Sequence, residues 1–402
     1  TDYSNKHEKS AALSQVKGHP LQTFTRENEA LTKLIDRMKE LLHDTDKTIG
    51  SKSLPVDEKQ ADTGSLPQIA AQLLKIREVA VHYAKKGDLL YPHLNARYGI
   101  AGPSAVMWTA DDEIRDELGA LCKALQKGRE TAEQRATESK ERETAGQNAV
   151  DGRGKETAEQ ETIDSKKMAD KSPQWDAKWL ERLQKVLLRV EEMIYKENHI
   201  LFPNCAVNFT EEDWMGIYRD AKDYADCLGV HGEVWEEAEN WLRKEKEAKK
   251  TVFKGTKDSQ ASEGEEDRAG SNFSDGVIHM PGGHMTIRQL TALLNTIPLE
   301  ISFIDAEDRN CYFNEGPKVF KRAQMALGRS VFTCHPPKVE TMVRRIIGEF
   351  REGTLDRVPV WMDKGGRTML VTYMAVRDES GEYMGTMELV QDMEFAKEHF
   401  GK

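Results

Sequence analysis

His82-Tyr-Ala-Lys-Lys-Gly-Asp-Leu-Leu-Tyr-Pro92 and Met193-Ile-Tyr-Lys-Glu-Asn-His-Ile-Leu-Phe-Pro203 are two versions of one phrase, 111 residues apart, with Pro92 and Pro203 in register. A repeat built from two helix ends predicts a bundle of two similar helical hairpins, and such bundles commonly hold metal between facing side chains. Two ligands on one helix face need positions i and i+4. The first copy offers His82 with Lys86 and the second Met193 with Glu197, so each keeps half a site.

Outward from these phrases, apolar residues recur at helical spacing. Phe24, Leu31, Leu34, Ile35, Met38 and Leu41 predict a first amphipathic helix over about 18–43. Leu73, Leu74, Ile76 and Val79 mark a second, which Pro92 is expected to close, and Val106, Met107, Trp108, Ile114, Leu118, Leu121 and Leu125 mark a third. Trp179, Leu183, Val186, Leu187, Val190 and Ile194 define a fourth, expected to end at Pro203, with short helices after it. Residues 129–171 consist almost wholly of Glu, Lys, Arg, Thr, Ala, Gln and Ser, which reads as a charged, disordered insertion.

At 402 residues, 38% hydrophobic and 32% charged, the chain has room for more than one domain and fits a soluble protein. Its net charge of -11 argues against a general nucleic-acid binder, which needs a basic surface to release counterions. Five cysteines, odd in number and without a C-x-x-C spacing, suit a reducing compartment. The start of the chain lacks an apolar leader, and no apolar run reaches the roughly 18–20 residues that span a bilayer. The expected location is therefore cytoplasmic, with no transmembrane segment.

Residues 1–17 read as a tail, 18–250 as the bundle, 251–285 as a polar linker and 286–402 as a second domain. In the last, short β-type runs are bounded by turn residues: 300–304, 310–313, 358–362, 368–376 and 384–390. Asp363-Lys-Gly-Gly-Arg367 and Asp378-Glu-Ser-Gly-Glu382 are hairpin turns by composition. Tight hairpins among the last three strands exclude a βαβ fold, so the domain is α+β with a five-stranded antiparallel sheet and helices on one face.

Four strings stand out in this domain: Leu293-Leu-Asn-Thr-Ile-Pro298, Cys334-His335-Pro336-Pro337, Tyr373-Met-Ala-Val-Arg377 and Gly385-Thr-Met-Glu388. Together they resemble the PAS domain at the C-terminus of a prokaryotic family in which a hemerythrin-like, HHE cation-binding bundle comes first. In the bundle, Gly18-His19-Pro20, Glu27-Asn28, His82-Tyr83, Val106-Met-Trp108 and Asp112-Glu-Ile-Arg115 carry the same resemblance. The chain departs from that pattern at Gln22 and Gly87, where the family often has His and Glu. These losses, added to Lys86 and Met193, are unfavourable to a dinuclear centre.

The metal reading gathers His82, Glu197, an acid from the third helix (Asp111 or Asp112), and His19 or Glu27 from the first, a set that suits iron or another divalent metal such as manganese or zinc. The plainer alternative leaves His82 at a helix end and pairs Glu197 with Lys196 or Arg189 at the surface. His93 and His199 read as exposed turn histidines. In the PAS domain, Phe303, Tyr312, Phe320, Met325, Cys334, His335, Trp361 and Tyr373 are expected to line a ligand cavity, or else to fill the core. Cys334-His335 has the chemistry of a haem or redox site, yet the following Pro-Pro step favours a structural role, so haem is not expected.

No nucleophile elbow, phosphate loop, kinase box or dinucleotide fingerprint is present, so nothing supports an enzyme. The resemblance implies a sensory or regulatory protein: a bundle with a partly lost metal site, tethered to a PAS domain that takes a small-molecule ligand or a protein partner, with output through that partner or a homodimer. The alternative is an iron- or oxygen-responsive protein acting in metal-centre repair.

Overall fold

The first helical stripe forms α2 (Pro20–Gly50), whose Leu21, Phe24, Leu31, Ile35 and Met38 are all buried. The computed structural model describes residues 5–50, 66–100, 102–147, 177–254, 276–316 and 318–401. A short α1 (Lys6–Ser14), without a buried residue, precedes α2. Beside α2 runs a rod of α3 (Leu66–Arg77), α4 (Val79–Lys85) and α5 (Tyr91–Tyr98). The second hairpin pairs α6 (Gly102–Gln147) with a rod of α7 (Ala177–Lys196) and α8 (Phe202–Asn208). α2 and α6 each pack on both α3 and α7, closing four rods around one core that contains Tyr91 and Phe202.

Neither Pro92 nor Pro203 ends its rod, contrary to the reading from sequence. Lys86–Leu90 and Glu197–Leu201 are π turns, and helix resumes beyond each with Pro at its second residue. The N–H of Tyr91 reaches back to the Lys86 carbonyl, and that of Phe202 to the Glu197 carbonyl. Proline lacks a donor and its ring collides with the carbonyl four residues earlier. One extra residue in the preceding turn relieves both problems, because a helix start needs no donor there.

The third helix is also longer than expected. α6 continues through Gln147, so the charged stretch from 129 begins as helix, and residues 148–171 lie outside the described part. Its Glu, Lys, Arg, Ala and Gln are strong helix formers. After α8, Thr210 caps α9 (Glu211–Ala221) through a reciprocal capping box with Asp213, and α10 (Glu236–Lys254) packs against α9.

Part of the expected linker is structured: β1 (Val277–Met280) and β2 (Gly283–Thr286) pair as a hairpin leading into α11 (Ile287–Thr296), whereas residues 255–275 lie outside the described part. The sheet beyond has five antiparallel strands, β3 (Glu300–Asp305), β4 (Asn310–Phe313), β5 (Arg357–Lys364), β6 (Arg367–Arg377) and β7 (Tyr383–Asp392), in the order β4-β3-β7-β6-β5. α12 (Pro337–Arg351) covers one face, burying Val343 and Ile347 with Ile304 and Val331. α13 (Glu394–Phe400) follows β7.

The segment joining β4 to α12 seats this domain on the bundle. Met325 packs beside Gly216 and donates its N–H to Asp220 at 3.1 Å, and Arg329 reaches His93.

Candidate functional site

The four rods aim six ionisable side chains at one point. Glu27 comes from α2, His82 and Lys85 from α4, Asp111 from α6, and Lys86 and Glu197 open the two π turns. All are buried, Lys85 being the most exposed at 6%. His82 bridges two rods, with Nδ1 2.7 Å from Glu27 Oε2 and Nε2 3.0 Å from Glu197 Oε2. Lys85 pairs with Glu27, and Lys86 with Glu197. The Lys86 ammonium also donates to Asp111 at 2.9 Å and lies 4.3 Å from the centre of the Tyr83 ring, while Tyr91 donates its hydroxyl to Asp111 at 2.8 Å.

Charge in this cluster balances internally. Burial works against the His82 cation, but Glu197 and Glu27 outweigh it and hold its pKa above the ordinary value. Burial likewise opposes the Glu197 carboxylate, yet Lys86 and His82 bring its pKa down to about 2; Glu27 is lowered against burial by His82 and Lys85. Asp111 is pushed up to about 6 by burial and by Glu197, against the pull of Lys86. With Asp111 ionised, three carboxylates face the Lys85 and Lys86 side chains and the His82 ring, whose protonation Glu197 and Glu27 favour.

Whether a metal fits is decided by this donor set. Both His82 nitrogens are committed to carboxylates, and the Lys86 ammonium stands between the two acids that would have to close on a metal ion. An ammonium is a donor with no lone pair, so it repels a metal cation and occupies its anionic partners. Among the described residues no group of three or more His, Cys, Asp or Glu is arranged to hold a metal ion. The residues do not fit a divalent centre.

Of the residues expected to ligate metal, His82, Glu197, Asp111 and Glu27 do converge. Asp112 does not; it turns away to pair with Arg115. His19 is buried elsewhere, between Trp214 and Trp235. The surface pairing is also wrong for Glu197, which is fully buried, while Arg189 binds Glu113 and Lys196 lies near Glu192. His93 is buried against Asp213 and Arg329, whereas His199 is exposed. Sequence reasoning missed Lys85, Tyr83, Tyr91 and Cys227, whose thiol lies 3.4 Å from Glu27. A signal existed in two adjacent lysines inside a core-forming helix.

In the sheet domain the eight expected cavity residues scatter. Ser302, Glu388 and Tyr373 pair across β3, β7 and β6, and the strand alternation puts them on the face of Ile304, under α12. Phe303 is one residue out of phase and so on the opposite face, with Tyr312 opposite it; Trp361 is there too, 59% exposed. Met325 packs on the bundle instead. His335 Nδ1 bonds the Val331 carbonyl at 2.8 Å in the turn before α12, and burial raises the Cys334 thiol pKa, which disfavours a reactive thiolate. Phe320 and Tyr373 remain near the covered face, where sequence reasoning missed an ion pair: Arg322 binds Glu388 and donates to Ser302 at 3.1 Å. Glu300 accepts the N–H groups of Val319 and Phe320.

Residues 19–151 match the family model of the hemerythrin HHE cation binding domain, and residues 290–394 match that of a PAS domain. A C-terminal domain from Streptococcus mutans, known from its crystal structure, is 36% identical over 31% of this chain and 98% of its own, with a TM-score of 0.30. The PAS domain of a protein from Colwellia psychrerythraea is 13% identical over 26% of this chain and 95% of its own, TM-score 0.22. A sensory box sensor histidine kinase from Vibrio cholerae is 12% identical over 26% of this chain and 90% of its own, TM-score 0.20. Among curated proteins none matches. No helix among the described residues is long and apolar enough to cross a membrane.

Proposed function

Because the chain belongs to the proteins that join a hemerythrin HHE cation-binding domain to a C-terminal PAS domain, we propose that it is a sensory or regulatory protein whose bundle has exchanged its metal centre for a fixed ion-pair core and whose PAS domain binds a small ligand or a partner. The observation that carries this reading is the Lys86 ammonium, fully buried between Asp111 and Glu197. With its charge balanced by side chains, the bundle becomes a platform, and the responsive part is the domain seated on it. A ligand under α12 that competes for Arg322 moves the segment that also carries Met325 and Arg329, so binding shifts the population of docked and undocked domains. Output then passes to a partner protein or to self-association, in the reducing cytoplasm that the five free cysteines suit.

The test is a metal analysis of protein purified without a histidine tag, joined to a thermal melt with and without chelator. This reading expects sub-stoichiometric iron, manganese and zinc and an unchanged midpoint. Stoichiometric iron, with a midpoint that chelator lowers, would replace it by an iron- or oxygen-responsive protein acting in metal-centre repair.

A further inference from the structure

The β1–β2 ribbon has little to hold it. Neither strand contains a buried residue, and Val277, Ile278 and Met280 are exposed. A lone two-stranded hairpin is marginally stable at best in water, because it buries too little apolar surface to offset the ordering of its chain. α11 follows at once, its first turn closed by a reciprocal capping box between Thr286 and Gln289, and it too lacks a buried residue. The entrance to the PAS domain therefore rests on local hydrogen bonds, and a cross-link between its strands would add what packing does not.

The turn decides which side chains meet across the ribbon. Pro281-Gly282 close it in two residues, and Gly283 opens β2 at φ +140°, a conformation that L side chains rarely adopt. Turn type and loop length fix the register of a hairpin, and this register sets His279 opposite His284. Directly paired residues project from one face, and here the two imidazole centres stand 5.7 Å apart with their planes 35° from parallel. Both histidines are exposed, and no nitrogen of either ring has a hydrogen-bond partner among the described residues.

Imidazole nitrogens without partners, side by side and open to solvent, are the ligands of late first-row transition metals. An ion about 2.0–2.1 Å from one nitrogen of each ring, at the near-tetrahedral angle zinc adopts, holds the two ring centres roughly 5–6 Å apart. The separation in this ribbon therefore calls for rotation of the rings and no movement of the backbone. We infer that His279 and His284 form a two-imidazole site for a divalent late transition metal, zinc, copper or nickel, with water completing the coordination, and that the ion staples β1 to β2 ahead of α11. The site uses none of the side chains of the ion-pair core. With only two protein ligands, both facing solvent, it exchanges its ion and empties on dialysis against chelator, so it is read by titration and not by the metal content of the purified chain.

Calorimetric titration of Zn²⁺, Cu²⁺ and Mg²⁺ into the full chain, dialysed first against chelator, tests this. Zn²⁺ should bind, Cu²⁺ more tightly still, and Mg²⁺, which takes oxygen ligands, not at all. Removing either ring turns a two-point attachment into one, so His279→Gln and His284→Gln should each weaken Zn²⁺ by about a hundredfold. His284→Gln combined with Met285→His keeps the number of histidines but carries one ring to the other face of the ribbon, and it should bind as weakly as His284→Gln alone. Zn²⁺ should also slow tryptic cleavage after Arg288, exposed in the first turn of α11, in the parent and in neither single variant. The inference is overturned if the single variants bind Zn²⁺ as the parent does, if the variant with its rings on opposite faces matches the parent, if cleavage ignores the ion, or if sedimentation shows Zn²⁺ joining two chains.

Discussion

Lys86 and Glu197 occupy the same place in two copies of one backbone, and they bond to each other. Each opens a π turn, and each turn hands over to a helix with proline second. The chemistry is divided between them: the first copy supplies His82, Lys85 and Lys86, and the second supplies Glu197 beside a buried Met193. The backbone therefore preserves a symmetric frame, while single side chains decide whether it holds a metal or balances itself. One lysine is enough to fill the centre, because its ammonium reaches acids on two other rods.

The largest break in this arrangement is Lys86→Met. Removing one partner from a buried charge cluster leaves carboxylates unpaired, which costs about 3–5 kcal/mol. Urea melts should show that loss, and Lys86→Met combined with Glu197→Leu should recover part of it, since replacing both partners by apolar groups is often neutral. A loss under about 1 kcal/mol for the single variant would mean that water reaches the cluster.

The next effect comes from making the copies alike. Lys86→Glu with Met193→His writes a His and a Glu four residues apart into both rods, adding acceptors where an ammonium stood. This variant should take up iron, manganese or zinc, and a metal present at a hundredfold its dissociation constant would raise stability by about 3 kcal/mol. A midpoint indifferent to metal and chelator would show that the frame itself has lost its ligand geometry.

How far such reasoning reaches from sequence depends on what sets each feature. Periodicity and the repeat were enough for the four rods and the antiparallel sheet, because apolar spacing and register are local signals; for the cluster they left Asp111 or Asp112 and His19 or Glu27 open, and packing selects Asp111 and Glu27. The π turns were illegible: proline announces a break, and only the packed rod shows that one extra residue bypasses it. Phe303 and Trp361 were misplaced because alternation says that strand residues divide between two faces, not which face α12 covers. Met325 and His93 failed for another reason. Their burial comes from contact between domains, which no pattern within either domain encodes.

His93 and Asn204 follow the two prolines, and His93 meets Arg329 of the PAS domain. His93 faces Arg329, Arg97, Asp213, Tyr98 and Phe209. Its Nε2 is 2.8 Å from Asp213 Oδ1, but off the line a hydrogen bond needs. Burial and Arg329 together bring its pKa down to about 4, outweighing Asp213. A lowered histidine pKa contributes stability above the unfolded value near 6.5 that is lost as pH falls toward about 4, by about 1–3 kcal/mol here. His93→Asn, which copies the second repeat, should flatten that part of the stability curve in urea melts at successive pH values. An equally steep curve in the variant would assign the acid loss to other groups.

The smallest test compares Gly87 with its counterpart Asn198. A Cβ on Gly87 would sit 3.3 Å from the indole nitrogen of Trp108, itself wedged beside Tyr91, so the indole has to shift to admit a methyl group. Ala is otherwise the better helix former, by up to about 1 kcal/mol, so the two effects oppose each other. Overpacking a well-filled core costs about 1–3 kcal/mol, which should leave Gly87→Ala about 1 kcal/mol less stable than the parent. Asn198 is exposed and accepts the Asn28 amide at 3.2 Å, so Asn198→Ala should stay within about 0.5 kcal/mol. Equal melts for the two variants would mean that Trp108 yields freely, and that the first copy is no more tightly packed than the second.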